Sequence, residues 1–370
     1  MQKTSFSILV LLSIFAMQAQ KMHNGLPAIQ AKDVMADYRI GDDWYENKWI
    51  ISPQIQSDTL AVPCFLSVED VAFYTDKDSI QTYLSPEQSY NFYVQLDDST
   101  YALTVIQGVI PSFSNLDFDS IAIPSIHLVY EQNNQNAYLN LLREKYKIDH
   151  LIKHTGSDTE RALTIMHWVH EQWKHDEYNV ADKKDALSIL NEAKKGTNFR
   201  CVEYGIVTAA CLNAIGLKAR VLGLKIKDIE TTVSGAGHVV TEAYLSDLKK
   251  WVMIDSQWDA MPVLNGIPLN AVEFQQAIAD HYSQLEINSL SGISKRNYTS
   301  WIYPYLYYFN CPLDNREGTD IERQTIDGKK ALMLVPVGAK NPTVFQINCK
   351  LDYCIYTHSL KEFYAPPAGY

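Results

Sequence analysis

The chain has 370 residues, 46% hydrophobic, 20% charged and 11% aromatic, a mix that can bury a sizeable core and that excludes disorder, collagen and coiled coil. Its 32 Lys and Arg face 43 Asp and Glu, a net charge of −11, so the composition gives no support for the basic stripe of a nucleic-acid or anionic-membrane binder. The 23 tyrosines, nearly twice the 12 phenylalanines, suit either β-rich packing or an aromatic ligand platform.

In chain order, Lys3, the apolar run Phe6 to Phe15 and the small Ala16 and Ala19 read as a secretory signal peptide over 1–19, cut after Ala19. The run is too short for a bilayer core of about 30 Å, and no later stretch of 18 apolar residues follows, so no transmembrane segment is expected. The mature protein is expected in the periplasm, at the cell surface or secreted, where disulfides are permitted. Residues 20–130 alternate short β-branched and aromatic runs with turn residues and predict an all-β module. Its clearest piece is a hairpin, Tyr90 to Leu96 and Tyr101 to Gln107 around Asp97-Asp98-Ser99. Further strands are expected at Trp49 to Ile51, Val71 to Tyr74 and Ile126 to Tyr130.

Residues 131–290 turn helical. Ala137 to Lys147 is the first helix; Ser157 with Glu160 fits a capping box ahead of Leu163, Met166, Val169 and Trp173 at helical spacing. A helix at Lys184 to Ala193 follows, then one whose N-cap is Thr197 or Asn198 and whose end is marked by Gly216. Leu217 to Leu224, His238 to Leu245 and Trp251 to Asp255 read as strands, the last two joined by Ser246 to Lys250. A helix at Asn270 to Ala279 precedes residues 291–370. These read as a β extension packed on the core, with a Tyr-rich segment Trp301 to Cys311 and strands at Ala331 to Pro336, Thr343 to Asn348 and Cys354 to His358.

Six cysteines, Cys64, Cys201, Cys211, Cys311, Cys349 and Cys354, lack the paired C-x-x-C spacing of a structural zinc site. Cys211 reads as a buried inert thiol, and the pairing of Cys64, Cys311, Cys349 and Cys354 stays open. His167, His170 and His175 with Asp176 and Glu177 lack HExxH spacing and read as a solvated helix end rather than a metal site. No metal and no cofactor are expected.

A thiol is a useful nucleophile when ionised, which a helix N-terminus and a histidine partner both promote. Cys201 falls in the first turn of a predicted helix, where unpaired N–H groups can also receive an oxyanion. His238 opens one strand of an antiparallel pair and Asp255 closes the other, so the two lie within one or two residues of opposition. Asp255 would then orient the imidazole and leave its other nitrogen for Cys201. Taken singly, these residues read as a structural thiol, a strand-end histidine and a turn acid; their joint placement at three element ends points to chemistry. Arg200, Trp173 and Trp258 are candidates for the substrate cleft, with a loop arginine and core tryptophans as the alternatives.

The segments Gly196 to Gly205 (with Arg200-Cys201-Val202-Glu203-Tyr204), Leu212 to Arg220, Gly237 to Tyr244 and Trp251 to Asp255 resemble the transglutaminase-like core of papain-like cysteine enzymes, here of an exported bacterial type. The resemblance implies an α+β fold, a nucleophile helix packed on an antiparallel sheet, with Cys201 as nucleophile, His238 as general acid/base and Asp255 as the orienting residue. Two features depart from the animal transglutaminases: Val202 replaces the aromatic after the nucleophile, and no acidic calcium loop is visible. The expected activity is hydrolysis of a peptide, protein or cell-wall amide through a Cys thioester. Glutamine acyl transfer with crosslinking, a glycoprotein amidase and an inert binding scaffold are the alternatives. Neither acyl donor, acceptor nor oligomeric state is encoded in any motif.

Overall fold

The structure, a computed structural model, describes residues 21–121, 125–132, 136–319 and 321–368; the expected signal peptide lies outside them. The chain divides into two compact units between Pro111 and Ser112. The expected boundary at 130 therefore falls too late, because Val129–Tyr130 pairs in parallel with Asp314–Asn315 of the second unit.

The first unit is all β. One sheet runs in the order Met22–His23, Leu26–Gln30, Ser89–Gln95, Tyr101–Val109, Asp58–Pro63, and the other in the order Asp43–Ile50, Met35–Ile40, Glu69–Tyr74, Ser79–Leu84. Their inward residues, among them Ile29, Val62, Phe73, Phe92 and Ile106, share one core. The hairpin expected around Asp97-Asp98-Ser99 forms with Tyr93 opposite Leu103. Asp97 stops the strand by accepting from the Ser99 and Thr100 N–H groups.

The second unit places helices α1 (Asp158–His170), α2 (Ala186–Ala193) and α3 (Cys201–Ala214) beside a sheet of β1 (Lys218–Lys225), β2 (Gly237–Leu245), β3 (Lys250–Ile254), β4 (Tyr308–Pro312), β5 (Ala331–Leu334) and β6 (Cys354–Thr357). The sheet order is β3-β2-β1-β4-β5-β6. The C-terminal strands thus continue the core sheet instead of forming a separate layer on it. Two further helices, α4 (Ala271–Asp280) and α5 (Lys295–Ile302), pack on the face that carries Leu222, Val240 and Met253.

Local signals explain most element ends. Ser157 caps α1 by accepting from the Glu160 N–H at 3.2 Å, but Glu160 reaches back to the Gly156 N–H rather than to Ser157, so the expected box is completed one residue early. Helix α3 closes in a Schellman turn: the Leu217 N–H donates to Leu212 O, the Gly216 N–H to Asn213 O, and Gly216 takes a φ of 92°. Its start differs from expectation. Arg200, not Thr197 or Asn198, is the N-cap, and the Asn198 side chain instead receives the Lys174 N–H.

Candidate active site

Because the helix begins later than its polar residues suggest, Cys201 is the first residue of α3, and Arg200 supplies no side-chain cap to its N–H groups. Helix α3 crosses β2 at Gly205, one turn on from Cys201. A Cβ at Gly205 would stand 2.8 Å from Val239 Cγ1 and 3.3 Å from the Val240 carbonyl. A helix-interior glycine costs about 1 kcal/mol relative to alanine; here it admits the close approach that brings Cys201 to the start of β2, where His238 stands.

In the β2–β3 hairpin Thr241 lies opposite Ile254, so Asp255 falls opposite Val240 and His238 lies two residues further along the same face. His238 Nε2 lies 2.8 Å from Asp255 Oδ2, which leaves Nδ1 to face Cys201, whose sulfur is near enough to favour the charged imidazole. His238 is 3% exposed and Asp255 fully buried. Burial works against a charged imidazole, yet the Asp255 carboxylate and the Cys201 sulfur outweigh it and hold His238 up at about 9. Asp255 in turn is saturated with donors: the Gln257 and Trp258 N–H groups reach Oδ1 at 3.1 and 3.3 Å, and the Tyr298 hydroxyl reaches Oδ2 at 2.9 Å. Ser256 Oγ, 2.7 Å from Thr208 Oγ1, ties this loop back to α3.

Three aromatic residues outside the expected core complete the surroundings. Trp301 meets the His238 ring edge-on at 4.8 Å between centroids, Tyr305 lies 6.1 Å from the same ring, and Tyr298 supplies the bond to Asp255. They sit on α5 and the turn after it, in the segment expected to be extension. The signal was there in the spacing, since Tyr298, Trp301 and Tyr305 follow one helical stripe. Trp258 joins them, 4.8 Å from Trp301.

The other cleft candidates, Arg200 and Trp173, have partners of their own. Arg200 is bound to the buried Glu203 on its own turn, Nη2 to Oε1 at 3.1 Å. Trp173 is 7% exposed and packs on Phe199 and Tyr204. It also lines a cavity of about 530 Å³ with His175, Asn198 and Gln257. The expected solvated histidines are partly engaged: His167 Nδ1 lies 3.1 Å from Asp259 and His170 Nδ1 3.1 Å from the Ser256 carbonyl. Among the described residues no group of three or more metal-ligating side chains is gathered. All six cysteines are free thiols; burial pushes Cys211 up strongly and Cys311 and Cys354 up to about 11.

A thiol at a helix start, an imidazole and a buried carboxylate thus stand together on an α+β scaffold. Residues 147–256 match the family model of the transglutaminase-like superfamily, and that segment is a transglutaminase-like domain. Among solved structures, similarity extends to a protein of Cytophaga hutchinsonii provisionally named a cysteine protease (15% identity, 41% of this chain and 48% of that one, TM-score 0.27). It also extends to a structure described as a TGase (17%, 45% and 43%, 0.25) and to red sea bream transglutaminase (10%, 52% and 39%, 0.22). The chain spans less than half the length of each of these structures. No curated protein matches it.

Proposed function

We propose that this protein is an exported cysteine hydrolase that cleaves a peptide or other amide bond through a thioester on Cys201. The observation that carries the reading is the buried His238–Asp255 bond whose free ring nitrogen is left to a thiol at a helix start. In the reaction Cys201 Sγ adds to the carbonyl carbon, and the oxyanion is received by uncapped first-turn N–H groups of α3. His238 gives its proton to the leaving amine as the C–N bond breaks. Water then adds to the thioester as His238 takes its proton, and the acid leaves with the thiol restored. With an amine in place of water the same steps would give acyl transfer. Export rests on the leader-like residues 1–19, and the substrate class on the chemistry of the thiol.

The test is alkylation of the full chain with limiting iodoacetamide at pH 6, with mapping of the adduct. Selective labelling of Cys201 that is lost in His238→Ala supports the reading. A Cys201 no faster than the exposed Cys349 overturns it.

A further inference from the structure

Beside α3 lies a cavity of about 720 Å³ whose wall carries six cationic side chains against two carboxylates, Asp314 and Glu317, in a chain that is acidic overall. Three of the cations are spoken for. Arg220 is paired with the buried Glu242 at 2.6 Å and Arg316 with Asp314 at 2.6 Å, and Arg323 lies 3.9 Å from Asp314 and donates to the Arg316 carbonyl. That leaves Lys184, Lys225 and Lys330, with Glu317, whose carboxyl burial raises to about 7. Lys225 is the informative member. It is 7% exposed, and among the described residues its ammonium has Asn310 Oδ1 as its one hydrogen-bond partner, with the Phe345 ring 5.9 Å away. The floor of the cavity is shaped around this pair: a Cβ at Gly223 would stand 2.4 Å from Asn310 Oδ1 and 3.0 Å from Lys225 Nζ. A buried ammonium with donors to spare is costly unless an anion completes it, and burial lowers this lysine to about 8.

The rest of the lining is largely apolar, with Val202 and Ile206 of α3 and, on the same sheet face as Lys225, Val221 and Val239. Val202 and Val239 are the chain neighbours of Cys201 and His238. Cations set among branched aliphatic groups suit a chain that carries both acidic and apolar side chains better than a bare phosphate. We propose that this cleft, on the α3 side of the sheet, binds an acidic, partly apolar peptide segment of the substrate, a carboxylate of which is held by Lys225. The assignment rests on the thioester reading for its placement of the scissile bond, but it is tested by binding alone.

The probe is a fluorescein-labelled decapeptide alternating glutamate and valine around one glutamine, titrated by anisotropy into the full-length Cys201→Ala protein at fixed ionic strength. Its control carries glutamine for every glutamate. The acidic peptide should bind at least about tenfold more tightly, and Lys225→Met should remove most of that difference. If Lys225→Met fails to fold, the double variant Lys184→Gln/Lys330→Gln, at exposed positions, should still weaken the acidic peptide selectively. Equal binding of the two peptides, indifference to all these substitutions, or displacement by inorganic phosphate as effective as by unlabelled peptide overturns the proposal. Selective alkylation of Cys201 in the unsubstituted protein alongside equal peptide binding would sink the cleft assignment alone. Selective peptide binding without selective alkylation would uphold the cleft and sink the thioester chemistry.

Discussion

The Tyr298 hydroxyl donates at 2.9 Å to the same Asp255 oxygen that holds His238 at 2.8 Å. Burial and the Asp255 charge both push this phenol upward, so it stays protonated and remains a donor. Tyr298 thereby fixes the direction of the carboxylate without touching Cys201. Tyr298→Phe should slow iodoacetamide alkylation of Cys201 at pH 6 several-fold, and Asp255→Asn should slow it more. Because a merely structural role would lower stability without changing the reaction, the check is the pH profile of alkylation. Its acid limb should move in Tyr298→Phe and stay in place in a core variant of equal stability loss.

His238 also makes stability depend on pH. Its folded pKa of about 9 lies above the ordinary value of about 6.5, so the stabilisation is complete below about pH 6.5 and is lost as pH rises through about 9. At full strength it amounts to about 3 kcal/mol. Urea unfolding of the second unit should therefore show a falling midpoint between pH 6.5 and 9 that flattens in His238→Gln. A slope unchanged by that substitution would count against the coupling.

Gly205 tests the approach of α3 to β2. Alanine there gains about 1 kcal/mol of helix propensity but meets Val239 Cγ1 at 2.8 Å and the Val240 carbonyl at 3.3 Å, an overpacking cost of about 1–3 kcal/mol. Gly205→Ala should thus lower stability by about 1 kcal/mol. It should cut the Cys201 alkylation rate by a larger factor than that loss explains, since the helix must move its first residue away from His238.

A second buried pair governs the other end of the hairpin. Arg220 and Glu242 are both fully buried, 2.6 Å apart, and the guanidinium also donates to the Phe363 carbonyl at 2.8 Å while stacked against Trp251 and Phe363 at 4.4 and 4.5 Å. Glu242→Ala strands a buried cation and should cost about 3–5 kcal/mol, whereas Arg220→Met with Glu242→Leu should restore most of it. Chemical denaturation checks the magnitudes, and hydrogen exchange at 360–364 should rise in Glu242→Ala.

The residues legible in sequence were those set by local spacing. Cys201 at a helix start and the His238/Asp255 pairing followed from element ends and one turn, and Gly216 marked its own cap. The polar pair Thr197 and Asn198 misled because Asn198 was drawn off by the Lys174 backbone, so the cap passed to Arg200. Tyr298, Trp301 and Tyr305 share a helical stripe in the sequence, but nothing local ties that stripe to the site, because their contacts with His238 and Asp255 are made across 43 to 67 positions of chain and depend on how α5 packs. For the same reason β4, β5 and β6 read as an extension. Nothing local tells a strand that its partner is β1, seen here in Leu224 opposite Phe309.

Arg220 reaches forward to Phe363, and Trp251 Nε1 to Ala365 at 3.1 Å. The β1–β3 end of the sheet, which carries His238, is thus tied to a segment more than a hundred residues further along the chain, so a chain cut before Phe363 would lose both of these ties.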